Sequence, residues 1–329
     1  MTRSLVSYQA SSVLYLGQRD NQEDALAMDF PLGSDTGFAV LSDGMGGHNA
    51  GEVASRIVVT EVFRELKFLK GHGNILQEAL EGPVDNSIRD ALLEAADIAN
   101  ACVADVANEA PEAHGMGATL VVPFFDRDQL SWISIGDSPL YLHRNGRLNQ
   151  LNEDHSMGPH IDMMVRSGML TERNGRDHPD RNCLTSVLVG KPISRIDCPE
   201  EPTHLMDGDI VLAASDGVQS IPHHEIEQII ERHCEDTTET IAQAVLTEIE
   251  TRADPEQDNL SLVVVKISKS DTQRKTARNT HPKREAFSEP YAVSDAPVHH
   301  DISRLTPRRP NRLHKSLARI FPTSPSTVK

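Results

Sequence analysis

Eight short apolar runs, each closed by turn residues, limit what this chain can fold into. They are SSVLYLG (11–17), FAVLSD (38–43), ATLVVPFF (118–125), LSWISIGD (130–137), PLYLHR (139–144), LTSVLVG (184–190), DIVLAASD (209–216) and LSLVVVKI (260–267). Runs of this length, rich in β-branched residues and bounded by Gly, Pro, Asn and Asp, read as strands. DRDQ separates the third from the fourth, and Asn145-Gly146 follows the fifth, so both junctions read as hairpins. Two longer stretches carry helical spacing instead. Val53, Ile57 and Val58 share a face within 49–69, and Ile88, Leu92, Ala95, Ala99, Cys102 and Val106 share one within 86–107. A second helical pair, 223–233 and 239–253, precedes the last run. Hairpin-joined strands with helix pairs inserted between them predict an α+β protein, not a parallel βαβ sheet.

Two regions stand outside this pattern. Residues 155–180 hold a short amphipathic piece among polar turns and read as a surface insertion, the class from which functional lids come. After Ile267 the periodicity stops, and the tail is polar, Pro- and Ser-rich, which predicts disorder over 269–329. Charge divides the chain at the same place. From Lys269 onward there are 13 Lys and Arg against 5 Asp and Glu, so the tail is about +8 and residues 1–268 about −25. An acidic body excludes nucleic acid as the main partner, because a phosphate backbone calls for basic surface. Within the tail, NRLHKSLARIF places Leu313, Leu317, Ile320 and Phe321 on one helical face, a pattern suited to docking on a partner or a membrane surface. Its alternative is a basic tail with accidental spacing.

Four cysteines, none in a C-x-x-C pair, make neither a disulfide framework nor a structural zinc site. The N-terminal stretch lacks a signal-peptide core, and no apolar run reaches membrane-spanning length, so a cytoplasmic location is expected.

Acidic residues recur at the ends of the apolar runs. Glu23-Asp24 follow the first after a loop carrying Arg19; Asp43, Asp137 and Asp216 each close a run; Asp258 stands just before the last. Any one of these alone reads as a turn, since Asp bonds its own backbone and the glycines that follow supply positive φ. Together they carry more. If strands of one domain end in Asp on the same edge, several carboxylates converge, and either some take up protons or a cation sits among them. An all-oxygen set favours hard divalent ions such as Mg²⁺ or Mn²⁺.

The ordered motifs RDNQED (19–24), DGMGGH (43–48), GMGATL (115–120), GDS (136–138), DHS (154–156), SDG (215–217) and DN (258–259) resemble those of the metal-dependent protein phosphatases (PPM, or type 2C), in their bacterial form. The resemblance runs from Ser11 to Ile267. It implies a phosphatase domain over 1–268, built as a β-sandwich of two mainly antiparallel sheets flanked by helix pairs in four layers, αββα, with 155–180 as a flap-like insertion. It also implies hydrolysis of phosphoserine and phosphothreonine in phosphorylated protein substrates by a water or hydroxide bridging two Mn²⁺ or Mg²⁺ ions, in a monomer. By position, Asp43 would bridge both ions and the Gly44 carbonyl would bind the second. Asp216 and Asp258 would hold the first, Glu23 and Asp24 would orient water on the ions, and Arg19 would grip the phosphate. Asp137 resembles a residue that helps bind a third ion. The chemistry suits these residue types, since two metals acidify a bridging water and a guanidinium fork holds two phosphate oxygens.

The motifs also depart from the family pattern. Met45 stands where some animal-type members carry His, Pro139 replaces the Arg that commonly follows GDS, and Ala118 takes a hydroxyl residue's place. None of these is an expected ligand of the two ions. The competing reading is a catalytically silent phosphoprotein-binding or scaffold module on the same fold. Missing carboxylates would mark it, and all are present.

Overall fold

Antiparallel pairing accounts for every strand neighbour in the computed structural model, which describes residues 5–47, 50–79, 85–109 and 115–270. The strands are β1 (Leu5–Tyr15), β2 (Asp24–Asp29), β3 (Thr36–Met45), β4 (Gly117–Ala118), β5 (Leu120–Asp126), β6 (Gln129–Ile135), β7 (Leu140–Arg144), β8 (Arg147–Gln150), β9 (Thr203–His204), β10 (Ile210–Ala214) and β11 (Leu260–Ser270). The helices are α1 (Ala50–Ala79), α2 (Asp85–Glu109), α3 (Gly158–Arg166), α4 (Glu172–Arg176), α5 (His223–His233) and α6 (Thr238–Arg252). One sheet has the order β1-β11-β10-β7-β8; the other runs β2-β3-β5-β6-β9, with β4 paired to β3.

The period-2 alternation of strands sorts their side chains into three apolar layers. Between the sheets lie Ala39, Leu41, Val121, Phe125 and Trp132 from one, and Leu140, Leu142, Val211, Val263 and Val265 from the other. On the second face of the β3 sheet, Phe38, Val40, Leu120, Val122 and Ile133 meet α1 and α2. On the second face of the β11 sheet, Ile210, Leu212, Leu260, Leu262 and Val264 meet α5 and α6. This is the expected αββα sandwich.

Several local expectations change. LTSVLVG (184–190) forms no strand and makes only isolated bridges, Ser156 to Leu184 and Ala118 to Leu188. Its polar groups are satisfied elsewhere: the Ser186 hydroxyl bonds the Arg195 carbonyl at 2.6 Å, and the Gly190 N–H bonds Asn100 Oδ1 at 2.8 Å. In α1 the buried face is Ala54, Val58, Val62 and Leu66, while Val53 points outward. β2 and the first half of β1 were not legible as runs, and β11 continues past Ile267 to Ser270, which pairs with Leu5. The 155–180 insertion holds α3 and α4, anchored by buried Ile161. All described residues fall within one unit, Met1–Arg278. His48 and the tail beyond Ser270, including NRLHKSLARIF, lie outside the described residues.

Candidate active site

The acidic strand ends meet. Asp24 opens β2 and Asp43 lies near the end of β3, and the two are direct register partners. Like charges facing each other across a strand pair repel, so the sheet holds this pair against its own electrostatics. Asp216 enters from the other sheet, in the 3₁₀ turn Asp216–Ser220 that follows β10. Asp258 stands at the head of β11, and Asp137 lies in the loop between β6 and β7.

Local hydrogen bonds brace Asp43 through its backbone and Asp24 through its side chain. The Asp43 N–H bonds Thr119 Oγ1 at 2.9 Å, and the Thr119 N–H returns to the Asp43 carbonyl at 2.8 Å. Ser138 bonds the same Thr119 hydroxyl at 2.9 Å. Asp24 accepts a 2.6 Å bond from the Ser215 hydroxyl, which in turn accepts the Ser261 N–H at 2.9 Å. The Gly44 N–H donates to the Glu23 carbonyl at 3.1 Å. A Cβ on Gly44 would stand 2.0 Å from the Gly51 carbonyl oxygen and 2.7 Å from that of Glu23. Gly44 is therefore bare because the first turn of α1 crosses it there, a steric demand separate from any ligand its carbonyl serves. Gly217 meets a similar limit, with the Asn259 carbonyl oxygen 2.0 Å from where its Cβ would be.

The electrostatics identify Asp43 as the centre of the group. Burial, then the charges of Asp216, Asp24, Asp137 and Asp258, push its carboxyl well above the ordinary range. Burial, with the charges of Asp216 and Asp258, lifts Asp24 to about 7 against the pull of Ser215 and Ser261. Asp137 also rises to about 7, through burial and the charges of Asp216 and Asp154. Asp216 is raised by burial and by the charge of Asp258. Burial and Asp258 raise Glu23, partly offset by Arg19. Six carboxylates, Glu23, Asp24, Asp43, Asp137, Asp216 and Asp258, are thus linked by mutual repulsion across two sheets, and Arg19 sets its guanidinium 2.7 Å from Asp258 Oδ2.

The group fits a hard divalent cation. Its donors are all oxygen, their mutual repulsion calls for positive charge, and buried Asp216 Oδ1 has no hydrogen-bond partner among the described residues. Among the described residues, no three acidic, imidazole or thiol side chains are gathered in ligating geometry. Asp258 faces Arg19, so an ion entering here displaces a guanidinium.

All eight residues singled out from the sequence (Arg19, Glu23, Asp24, Asp43, Gly44, Asp137, Asp216 and Asp258) lie in or beside this corner. The reading missed the residues that hold them: Thr119, Ser138, Ser215, Ser261 and Asn259. Four of the five lie inside the quoted motifs GMGATL, GDS, SDG and DN, which is the signal that pointed to them. Asp154, from DHS, faces Asp137 electrostatically and accepts the Ser156 N–H at 2.8 Å. His155 is a buried pin: Nδ1 accepts the Gly136 N–H at 3.2 Å, and its own N–H bonds the Gly136 carbonyl at 3.0 Å. Burial lowers its pKa, so the ring is held neutral.

Known proteins resemble this chain in sequence and in fold. A family model described as protein phosphatase 2C matches residues 17–251. The serine/threonine protein phosphatase PstP of Mycobacterium tuberculosis is 32% identical over 204 residues, which are 61% of this chain and 34% of that protein. The match thus spans about a third of that curated relative. The crystal structure of the M. tuberculosis serine/threonine phosphatase PstP/Ppp superposes with a TM-score of 0.60 at 26% identity, covering 80% of this chain and 99% of that one. A structure of the PstP catalytic domain in complex with two manganese ions superposes with a TM-score of 0.59 at 24% identity, covering 80% and 99%, and shows the shared fold.

Proposed function

This chain belongs to the protein phosphatase 2C family, and from that premise we propose that it is a metal-dependent phosphatase of phosphoserine and phosphothreonine in proteins, acting through the corner around Asp43. The observation that carries the reading is that the charges of Asp24, Asp137, Asp216 and Asp258 all act on Asp43. A surface turn does not collect four like charges around a fifth.

In this reading Asp43, the Gly44 carbonyl, Asp216 and Asp258 hold two divalent ions, Mn²⁺ or Mg²⁺, and Asp137 contributes to a third site. Such ions, when bound, neutralise a phosphate dianion and make water a competent nucleophile at neutral pH. Arg19 holds two phosphate oxygens in its fork, a geometry lysine does not offer. Glu23 and Asp24 accept hydrogen bonds from water and orient it for in-line attack on phosphorus. The P–O ester bond breaks, leaving inorganic phosphate and the serine or threonine hydroxyl. Met45 carries no transferable proton, so the leaving oxygen takes its proton from water ordered at these carboxylates. The phosphatase unit, expected over 1–268, extends through the end of β11 at Ser270, with the basic tail as an appended docking element. Among the described residues no helix is long and apolar enough to cross a membrane.

The test is phosphate release from a phosphothreonine peptide by the purified full chain. Release is expected with Mn²⁺ and is lost with a chelator. A folded protein that binds the phosphopeptide and releases no phosphate at any Mn²⁺ concentration would support the scaffold reading instead.

A further inference from the structure

Asn259 spends its whole side chain on one loop. Buried at the head of β11, it accepts the Glu23 N–H on Oδ1 at 2.7 Å and donates from Nδ2 to the Leu16 carbonyl at 2.7 Å. Its own N–H bonds Asp258 Oδ1 at 2.8 Å, which orients that carboxylate. Leu16 and Glu23 bracket the connection from β1 to β2 that carries Arg19. The same connection is tied twice more to this corner, by the Gln18 N–H to the Gln257 carbonyl at 2.8 Å and by Arg19 to Asp258 at 2.7 Å. One amide thus closes both ends of the Arg19 loop while facing Asp258 with its main chain. Holding a carbonyl and an N–H at once requires a donor and an acceptor on one short side chain. Asn supplies both, whereas Asp offers only acceptors and Leu neither.

We propose that Asn259 is a positioning residue that holds both ends of the loop carrying Arg19, and so fixes where a phosphate sits relative to the carboxylate corner. The proposal rests on the phosphatase reading. Asn259 touches no reacting atom in it and acts through Arg19. Small errors of placement at a phosphate clamp cost one to two orders of magnitude, so the effect is large enough to measure.

The experiment is a double-mutant cycle on the full chain with Mn²⁺, using a phosphothreonine peptide as substrate and inorganic phosphate as competitive inhibitor. Asn259→Ala is expected to raise KM and the phosphate inhibition constant about tenfold, with a smaller change in kcat. In an Arg19→Ala background the same substitution is expected to add less than about threefold, because the group it positions is gone. Asn259→Asp keeps the bond to the Glu23 N–H and is expected to fall between wild type and Asn259→Ala. It also serves as the cycle variant if Asn259→Ala does not fold. Equal penalties with and without Arg19 would overturn the proposal while leaving the phosphatase reading in place. A wild-type chain that releases no phosphate would remove both.

Discussion

Asp24 and Asp43 face each other as register partners across β2 and β3, with Ser215 bonded to the first and Thr119 holding the backbone of the second. An antiparallel pair built for stability alone would not place two carboxylates there. The repulsion is tolerated because the corner is built to receive positive charge. Asp43→Asn should therefore have opposite effects on stability and activity. In chelator the variant is expected to melt about 2–4 °C higher than wild type, since one opposed charge is gone. With Mn²⁺ its turnover should fall by at least about 100-fold. Calorimetry and phosphate release on the same preparation measure both.

The pH dependence of the metal-free protein follows from the same group. Asp24 and Asp137 have folded values near 7, well above their ordinary 3.8. A carboxyl raised by folding favours the folded state below its unfolded value, and that contribution is lost as pH rises through the folded one. In chelator the melting temperature should therefore fall between pH 4 and pH 8, and Asp24→Asn should flatten the decline. Excess Mn²⁺ binds the folded state and should raise the curve most at the alkaline end. A chelator curve that climbs across this range would contradict the electrostatic account.

Much of this was legible beforehand, for identifiable reasons. β3, β10 and β11 announce themselves through apolar runs flanked by Asp, and the αββα order follows from where the helical spacing falls. β2 was missed because DALAMD has no β-branched residue, and its place is fixed by pairing with β3. LTSVLVG has strand composition, yet Ser186 and the Gly190 backbone find partners outside any ladder. The carboxylates were visible because charge at a strand end is conspicuous. Thr119, Ser215 and Asn259 were not assigned roles, because a hydroxyl or an amide becomes a support only once its partner from a distant strand is in place.

Arg19 and Asp258 form an exposed ion pair, an interaction worth little in itself. An ion at Asp258 has to displace the guanidinium, so Arg19→Met should tighten Mn²⁺ binding about two- to fivefold. KM for a phosphopeptide should rise in the same variant. Titration of free Mn²⁺ by electron paramagnetic resonance separates the two effects. Weaker Mn²⁺ binding in Arg19→Met would show that the arginine supports the ions and does not compete with them.

Gly44→Ala tests the packing under the site. Its Cβ would meet two backbone carbonyls, of Gly51 and Glu23, neither of which can rotate away. Overpacking of this kind costs about 1–3 kcal/mol, and chemical denaturation in chelator should show it without reference to activity. An unchanged midpoint would mean that α1 shifts freely past β3.

The most direct measurement of the central claim is an anomalous-scattering map from crystals of the full chain grown with Mn²⁺. Two strong peaks are expected in the corner between Asp43, Asp216 and Asp258, with Asp43 touching both and Arg19 withdrawn from Asp258. A map with no peak there, and Arg19 still bonded to Asp258, would contradict it.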